Sequence, residues 1–210
     1  MKLVLIGAPG SGKGTLAKGL EKKFGWLHIS TGDLLRDEIA ADSDIGRTAK
    51  DLISQGLFVP DDIIIKMVEN RLKKDDAKNG YMLDGFPRTL IQFEKMKEKI
   101  EVDWVVNLDV DKDVLIKRLT SRKICPSCKE VYSTLVQDID ICKKCGEKLQ
   151  VRADDNVQSI EKRLEVFEKE TKPILACFEK MNKLLTFVGD MAPEENLKRV
   201  QDTLAKLEGK

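Results

Sequence analysis

Residues 7–15 read GAPGSGKGT. They follow the apolar run Lys2–Ile6 and lead into Lys13–Phe24, a stretch whose pattern predicts a helix. This unit constrains the fold more than any other feature, because a buried strand that runs through a glycine loop into a helix belongs to a layered α/β core. The chemistry is equally constrained. Glycines let successive backbone N–H groups converge on a phosphate, the helix N-terminus adds positive potential, and Lys13 reaches the outer phosphates. An ordinary glycine-rich turn has no need of a lysine one residue after Gly12. One departure stands out: the generic pattern places Ser or Thr directly after the lysine, whereas here Gly14 intervenes and the hydroxyl belongs to Thr15.

Downstream, short apolar runs alternate with longer helical stretches. His28–Ser30, Tyr81–Leu83, Trp104–Leu108 and Thr186–Val188 read as strands, and a helix follows Pro193. Strands separated by helical crossovers imply a parallel sheet covered on both faces. Two segments interrupt the alternation. Residues 31–60 hold helical pieces and no strand, and residues 122–155 hold four cysteines among many turn formers. Both read as insertions raised above one core made of residues 1–30, 61–121 and 156–210.

Lys+Arg 37 against Asp+Glu 36 leaves almost no net charge, which argues against a dedicated nucleic-acid binder. The apolar run at the start is too short for a signal-peptide core, and no later run reaches membrane-spanning length. A cytoplasmic protein is expected, with reduced thiols, and paired cysteines there hold metal more often than they form disulfides. Cys125 and Cys128, then Cys142 and Cys145, form two Cys-x-x-Cys pairs separated by thirteen residues. That spacing suits one tetrahedral Zn²⁺, although iron takes the same four thiolates. Four protein ligands leave no open position, so the expected role is structural. Cys177, in PILACF, reads as inert core, and His28, the single histidine, as a packed strand residue.

Two further motifs carry chemistry. In YMLDGFPRT, Asp84 falls at the carboxyl end of a predicted strand, where open α/β sheets bind ligands, and it is placed to hold hydrated Mg²⁺. Arg88 lies four residues on and can fork two N–H groups onto a phosphate. In STGDLLR, Ser30, Thr31 and Asp33 are candidate helix caps, and Arg36 falls one turn later.

The set GxPGxGKGT, STGDLLR, DGFPRT followed by Gln92, and a cysteine insert ending in VRADD and EKRL closely resembles the bacterial adenylate kinases, in their long form with a metal-binding lid. The resemblance runs through nearly the whole chain. It implies an α/β, three-layer P-loop core with a parallel sheet, a helical AMP-binding insertion at 31–60, and a zinc-binding lid at 122–155. It implies reversible phosphoryl transfer from MgATP to AMP, giving two ADP. Gly10, Ser11, Gly12, Lys13, Gly14, Thr15, Arg118 and Arg122 would hold ATP, with Val131, Tyr132 and Met191 around its base. Thr31, Arg36, Leu57, Phe58, Val59, Gly85, Phe86, Pro87, Arg88 and Gln92 would hold AMP. Arg152 and Arg163 would close onto the reacting phosphates, and Asp84, with Asp33, would anchor the water shell of Mg²⁺. A cis peptide at Phe86-Pro87 is also implied. So is a monomer whose partners are ATP and AMP, without nucleic acid or membrane.

MgATP and AMP together bring about four excess negative charges. Lys13, Arg36, Arg88, Arg122, Arg152 and Arg163 supply the cations that such a site requires. Some positions depart from the family: Leu16 where Gln is common, Lys123 where a second Arg often stands, Lys129 where Gly is usual, and a shortened insert. Two other readings compete. One is a kinase for uridylate, cytidylate or guanylate. The other is a nucleotide-regulated nucleic-acid binder with a zinc ribbon, which the sparse aromatics (5%) disfavour.

Overall fold

The structure is a computed structural model, and it describes residues 1–209. In chain order it runs β1 (Lys2–Gly7), α1 (Lys13–Phe24), β2 (Leu27–Ser30), α2 (Thr31–Ala40), α3 (Asp44–Ser54), α4 (Asp61–Leu72), β3 (Tyr81–Asp84), α5 (Leu90–Lys99), β4 (Trp104–Asp109), α6 (Lys112–Thr120), β5 (Arg122–Ile124), β6 (Val131–Ser133), α7 (Val157–Val166), α8 (Lys172–Lys180), β7 (Leu184–Val188) and α9 (Pro193–Glu208). A π-helical turn, Phe167–Thr171, joins α7 to α8. Five strands form a parallel sheet in the order β2-β3-β1-β4-β7, and β5 and β6 form a separate antiparallel pair.

The period-two alternation of β1 explains the three layers. Val4 and Ile6 point to one face, where they join Leu83 and Val105 beneath Leu35, Val68, Phe93 and Phe178 of the surrounding helices. Leu3 and Leu5 point to the other face and meet Leu16, Ala17 and Leu20 of α1 and Val200 and Leu204 of α9. A central strand buried on both faces must be apolar throughout, as β1 is. Each fully buried Leu or Val contributes roughly 1.5–3 kcal/mol of transfer free energy. A charge at Val4, which is 0% exposed, would therefore break the core.

Every parallel strand delivers its carboxyl end to the same edge of the sheet. Gly7, Ser30 and Asp84 consequently lie together, and the two interrupting segments rise from that edge. The first is α2 and α3, capped by Ser30 and Ser43, whose hydroxyls accept from the N–H groups of Asp33 and Gly46. The second is the β5–β6 hairpin, whose connecting loop is the first cysteine turn, with the second cysteine turn beyond it.

Candidate active site and metal centre

The loop between β1 and α1 turns on Gly10, whose φ of 86° is open to glycine and poorly open to other residues. A Cβ there would also come within 2.9 Å of the Leu119 side chain. The turn brings Lys13 back over the loop, where Nζ donates to Gly7 O (2.7 Å), Ala8 O (3.0 Å) and Ser11 Oγ (3.3 Å). Burial lowers Lys13 to about 8, and the nearby arginines reinforce this against the opposing pull of Asp84.

Asp84 ends β3, as the sequence implies, and His28 Nε2 lies 3.3 Å from its Oδ2. Burial alone would raise the Asp84 carboxyl. The His28 hydrogen bond and the Lys13 ammonium overcome that effect and hold it below the usual carboxylate range. Gly85 follows at φ 80°, and its carbonyl accepts from Thr31 Oγ1 and from Arg88 Nε, both at 2.8 Å. Both donors occupy space that a Cβ at residue 85 would need. The Phe86-Pro87 peptide is cis. Arg88 then lies over the Phe58 ring, 5.5 Å from its centroid.

A cleft of about 960 Å³ lies above this edge. Lys13, Arg36, Arg88, Arg118, Arg122, Arg152 and Arg163 line it, with Asp33, Asp84 and the loop from Gly10 to Thr15. Burial lowers Arg88 and Arg152 to about 10, and Arg163 is lowered for the same reason. Clustered, desolvated cations of this kind call for anions. Partial compensation comes from the protein itself. Arg122 Nε donates to Asp155 Oδ2 at 2.7 Å, and Arg163 Nη1 lies 2.9 Å from Asp154 Oδ2 and 3.2 Å from Asp155 Oδ1. Arg36 Nη2 donates to Asp33 Oδ1 at 2.7 Å. Yet Nε of Arg36 and Nε of Arg152 are buried without any hydrogen-bond partner. Both arginines line the one cleft, and guanidinium groups with unspent donors are the kind that phosphate oxygens satisfy.

A smaller recess adjoins the cleft, lined by Thr31, Leu57, Phe58, Val59, Gly85, Arg88 and Gln92. Val131 and Tyr132 of the hairpin also line the cleft, as does Met191, whose carbonyl accepts a long bond from Arg118 Nη2. Pro87 lines the cleft, whereas the Phe86 side chain is 1% exposed and sits in the core below it. Tyr132 also reaches the other way: its hydroxyl lies 3.3 Å from Cys142 Sγ and accepts from the Lys143 N–H.

The Cys125, Cys128, Cys142 and Cys145 sulfurs all lie within 4.8 Å of one another, and the Cys125–Cys145 and Cys128–Cys142 separations are 3.4 and 3.5 Å. Tetrahedral Zn²⁺ with bonds of about 2.3 Å needs sulfurs about 3.8 Å apart, so the four thiols fit that ion. The two turns share one geometry. Lys129 N–H returns to Cys125 O at 3.1 Å and Gly146 N–H to Cys142 O at 2.9 Å, with positive φ at both residues. Glycine suits that conformation, and Lys129 adopts it at a cost of about 1–2 kcal/mol. Its ammonium then lies 3.2 Å from Asp37 Oδ1 on α2, while Lys18 of α1 donates to Lys129 O and meets Glu130. Lys123 pairs with Asp138 and Asp140 within the hairpin segment and stays out of the cleft.

Sequence reasoning missed four contributors. His28 is packed, as expected, but packed against Asp84. Asp154 and Asp155 carried no assigned role, although their position between Arg152 and Arg163 was a signal. Asp61, which holds Gln92, gave none.

Comparisons agree with this geometry. The family model for adenylate kinase matches residues 5–183. The chain is 41% identical over 212 aligned positions to an adenylate kinase of Thermoanaerobacter sp. (strain X514), covering 97% of this chain and 98% of that one. It is 39% identical to the adenylate kinase of Caldicellulosiruptor saccharolyticus, with 97% and 99% covered. It is also 41% identical to the adenylate kinase of Bacillus subtilis (strain 168), with 99% of each covered. With the parallel core, the glycine loop and the clustered cysteines already in place, the chain belongs to the adenylate kinase family, enzymes that move a phosphoryl group between ATP and AMP.

Proposed function

We propose that this chain transfers the terminal phosphoryl group of MgATP to AMP in line, with both nucleotides held in the one cleft. The supporting observation is the convergence there of Lys13, Arg36, Arg88, Arg122, Arg152 and Arg163, with two buried guanidinium N–H groups unsatisfied. AMP already carries an anionic oxygen at neutral pH, so no side chain has to generate the nucleophile. The protein's task is to position the two phosphates and stabilise charge as the bond to the leaving ADP lengthens.

In this reading the loop from Gly10 to Thr15 and Lys13 hold the ATP phosphates. Arg118, Val131, Tyr132 and Met191 flank its base. Thr31, Arg36, the Gly85–Arg88 stretch and the recess beside Gln92 hold AMP. Arg122, Arg152 and Arg163 face the transferring group. Asp84, with Asp33, would hold the hydrated Mg²⁺, which supplies charge neutralisation on the ATP phosphates. Closure of segments 31–60 and 122–155 over the cleft would exclude water that would otherwise take the phosphoryl group. The four cysteines would hold Zn²⁺ as a structural staple. The enzyme is read as a cytoplasmic monomer, and among the described residues no helix is long and apolar enough to cross a membrane.

A coupled assay offering ATP with AMP, CMP, GMP or UMP tests the assignment. Turnover with micromolar AMP alone is expected. Preference for another monophosphate would replace AMP as the acceptor, and no turnover with any would end the kinase reading for this cleft.

A further inference from the structure

Gln92 is 2% exposed, and both ends of its amide are held. Its Oε1 accepts from the Arg88 backbone N–H at 2.8 Å, and its Nε2 donates to Asp61 Oδ1 at 2.7 Å. The same Asp61 oxygen accepts from Thr89 Oγ1 at 3.0 Å, and that hydroxyl accepts from the Gln92 N–H at 3.1 Å. Asp61 opens α4 directly after Pro60, so the rigid start of a helix fixes the carboxylate.

A backbone N–H can only donate, and a carboxylate can only accept. Turning the Gln92 amide over would set NH₂ against N–H and oxygen against carboxylate, replacing two hydrogen bonds with two repulsions. The amide therefore has one orientation. By valence it retains one N–H and one lone pair, and Gln92 lines the recess with Thr31, Leu57, Phe58 and Val59.

We propose that Asp61 is a specificity-determining positioning residue: by locking the Gln92 amide, it makes the recess accept a 6-amino purine and refuse a 6-oxo purine. The proposal rests on the reading above that this recess takes the base of AMP. A 6-amino purine offers an N–H donor beside a ring-nitrogen acceptor, which matches the lone pair and N–H that Gln92 has left. A 6-oxo purine offers a carbonyl acceptor beside a ring N–H, so donor meets donor and acceptor meets acceptor. Shape cannot make this distinction, because the two bases have nearly the same outline. Hydrogen-bond mismatch can, since buried polar groups left unpaired give large discrimination.

The test compares kcat/KM for AMP and inosine monophosphate at saturating MgATP, together with KM for ATP, in the parent enzyme, Asp61→Ala, Asp61→Asn and Gln92→Leu. Asp61→Ala is expected to raise KM for AMP and to lower the AMP-to-inosine-monophosphate ratio at least about tenfold, the scale of one lost hydrogen bond to a charged group. Its kcat and its KM for ATP should stay within about twofold, since Asp61 touches neither the loop nor the transferring group. Asp61→Asn keeps an oxygen able to accept from Gln92 and should hold the ratio. A general loosening of α4 would lower the melting temperature and weaken both acceptors alike. An unchanged ratio in Asp61→Ala, or an equal loss in Asp61→Asn, would overturn the proposal. If Gln92→Leu itself kept the ratio, the reading of the recess would fail first, whatever Asp61 did.

Discussion

The Asp155 carboxylate, 0% exposed, binds the Arg122 guanidinium through both oxygens, at 2.7 Å to Nε and 2.5 Å to Nη2. A bidentate bond of this kind fixes the plane of the guanidinium as well as its charge. The same carboxylate reaches Arg163 at 3.2 Å, so one acid orients two of the cations proposed to face the transferring group. Asp155→Ala is expected to lower both stability and kcat. Removing one partner of a buried pair costs about 3–5 kcal/mol. MgATP should narrow the difference in melting temperature, because phosphate oxygens would supply the missing acceptor. A gap of the same size with and without MgATP would show that these arginines do not meet phosphate.

Replacing Lys13 or Arg88 with Ala should cut turnover at least about a hundredfold, the scale of losing one donor aimed at developing charge. Both side chains lie at the cleft and outside the main apolar clusters, so both variants should still fold, and loss of the buried Lys13 ammonium should not lower the unfolding midpoint below pH 8. Near-normal turnover in both variants would contradict the proposed mechanism.

Lys13 also predicts a proton flux. Burial places it at about 8, below its ordinary 10.5, so the folded protein disfavours its charged form. That penalty is complete below pH 8 and fades as pH rises from 8 to 10.5, and stability therefore increases across that window. Bound phosphate raises the ammonium back, so ATP binding near pH 9 should take up a fraction of a proton. ATP is already fully ionised there, since a second phosphate pKa lies near 6. Calorimetry in buffers of different ionisation enthalpy reads the flux directly. Proton release at pH 9 would reverse the assigned sign.

The cysteine cluster predicts a metal that matters for stability. Cys142→Ser with Cys145→Ser should release Zn²⁺, measured as metal per chain, and lower the melting temperature. Zinc binding to such a site is worth about 10–16 kcal/mol apparent, whereas the hairpin segment has only Leu149, Ile139 and Tyr132 beside its cysteines as a core. Much of the turnover at moderate temperature should survive, because Lys13, Arg88 and Arg163 lie outside residues 122–155. Full thermal stability combined with lost turnover at every temperature would instead make the metal catalytic.

Local pattern made most of the architecture legible. The helix Lys13–Phe24 forms at the residues its periodicity marks, and Lys2–Ile6 and Tyr81–Leu83 each extend by a single residue in the structure. Thr186–Val188 gains Leu184 and Leu185, whose apolar run carried no turn signal to date its start. The cysteine pairs were legible because metal spacing is local. Contacts set by tertiary approach were not. His28 looked like any strand residue, because the pairing that sets Ser30 opposite Asp84 lies between β2 and β3. Asp61 and Gln92 are thirty-one residues apart and meet only when α4 packs beside α5. Lys129 looked like a misplaced glycine until its partner on α2 came into view.

That last contact joins the cysteine turn to α2 without passing through the sheet. A ligand that favours the joined arrangement through one segment favours it through the other, and linkage makes the effect reciprocal. Each nucleotide would then raise the affinity for the other by the same factor. A pair as exposed as Lys129 and Asp37 contributes at most about 1 kcal/mol, or roughly a fivefold effect. An ion pair at the rim of the cleft would thereby become a small cooperative term between the two proposed substrates.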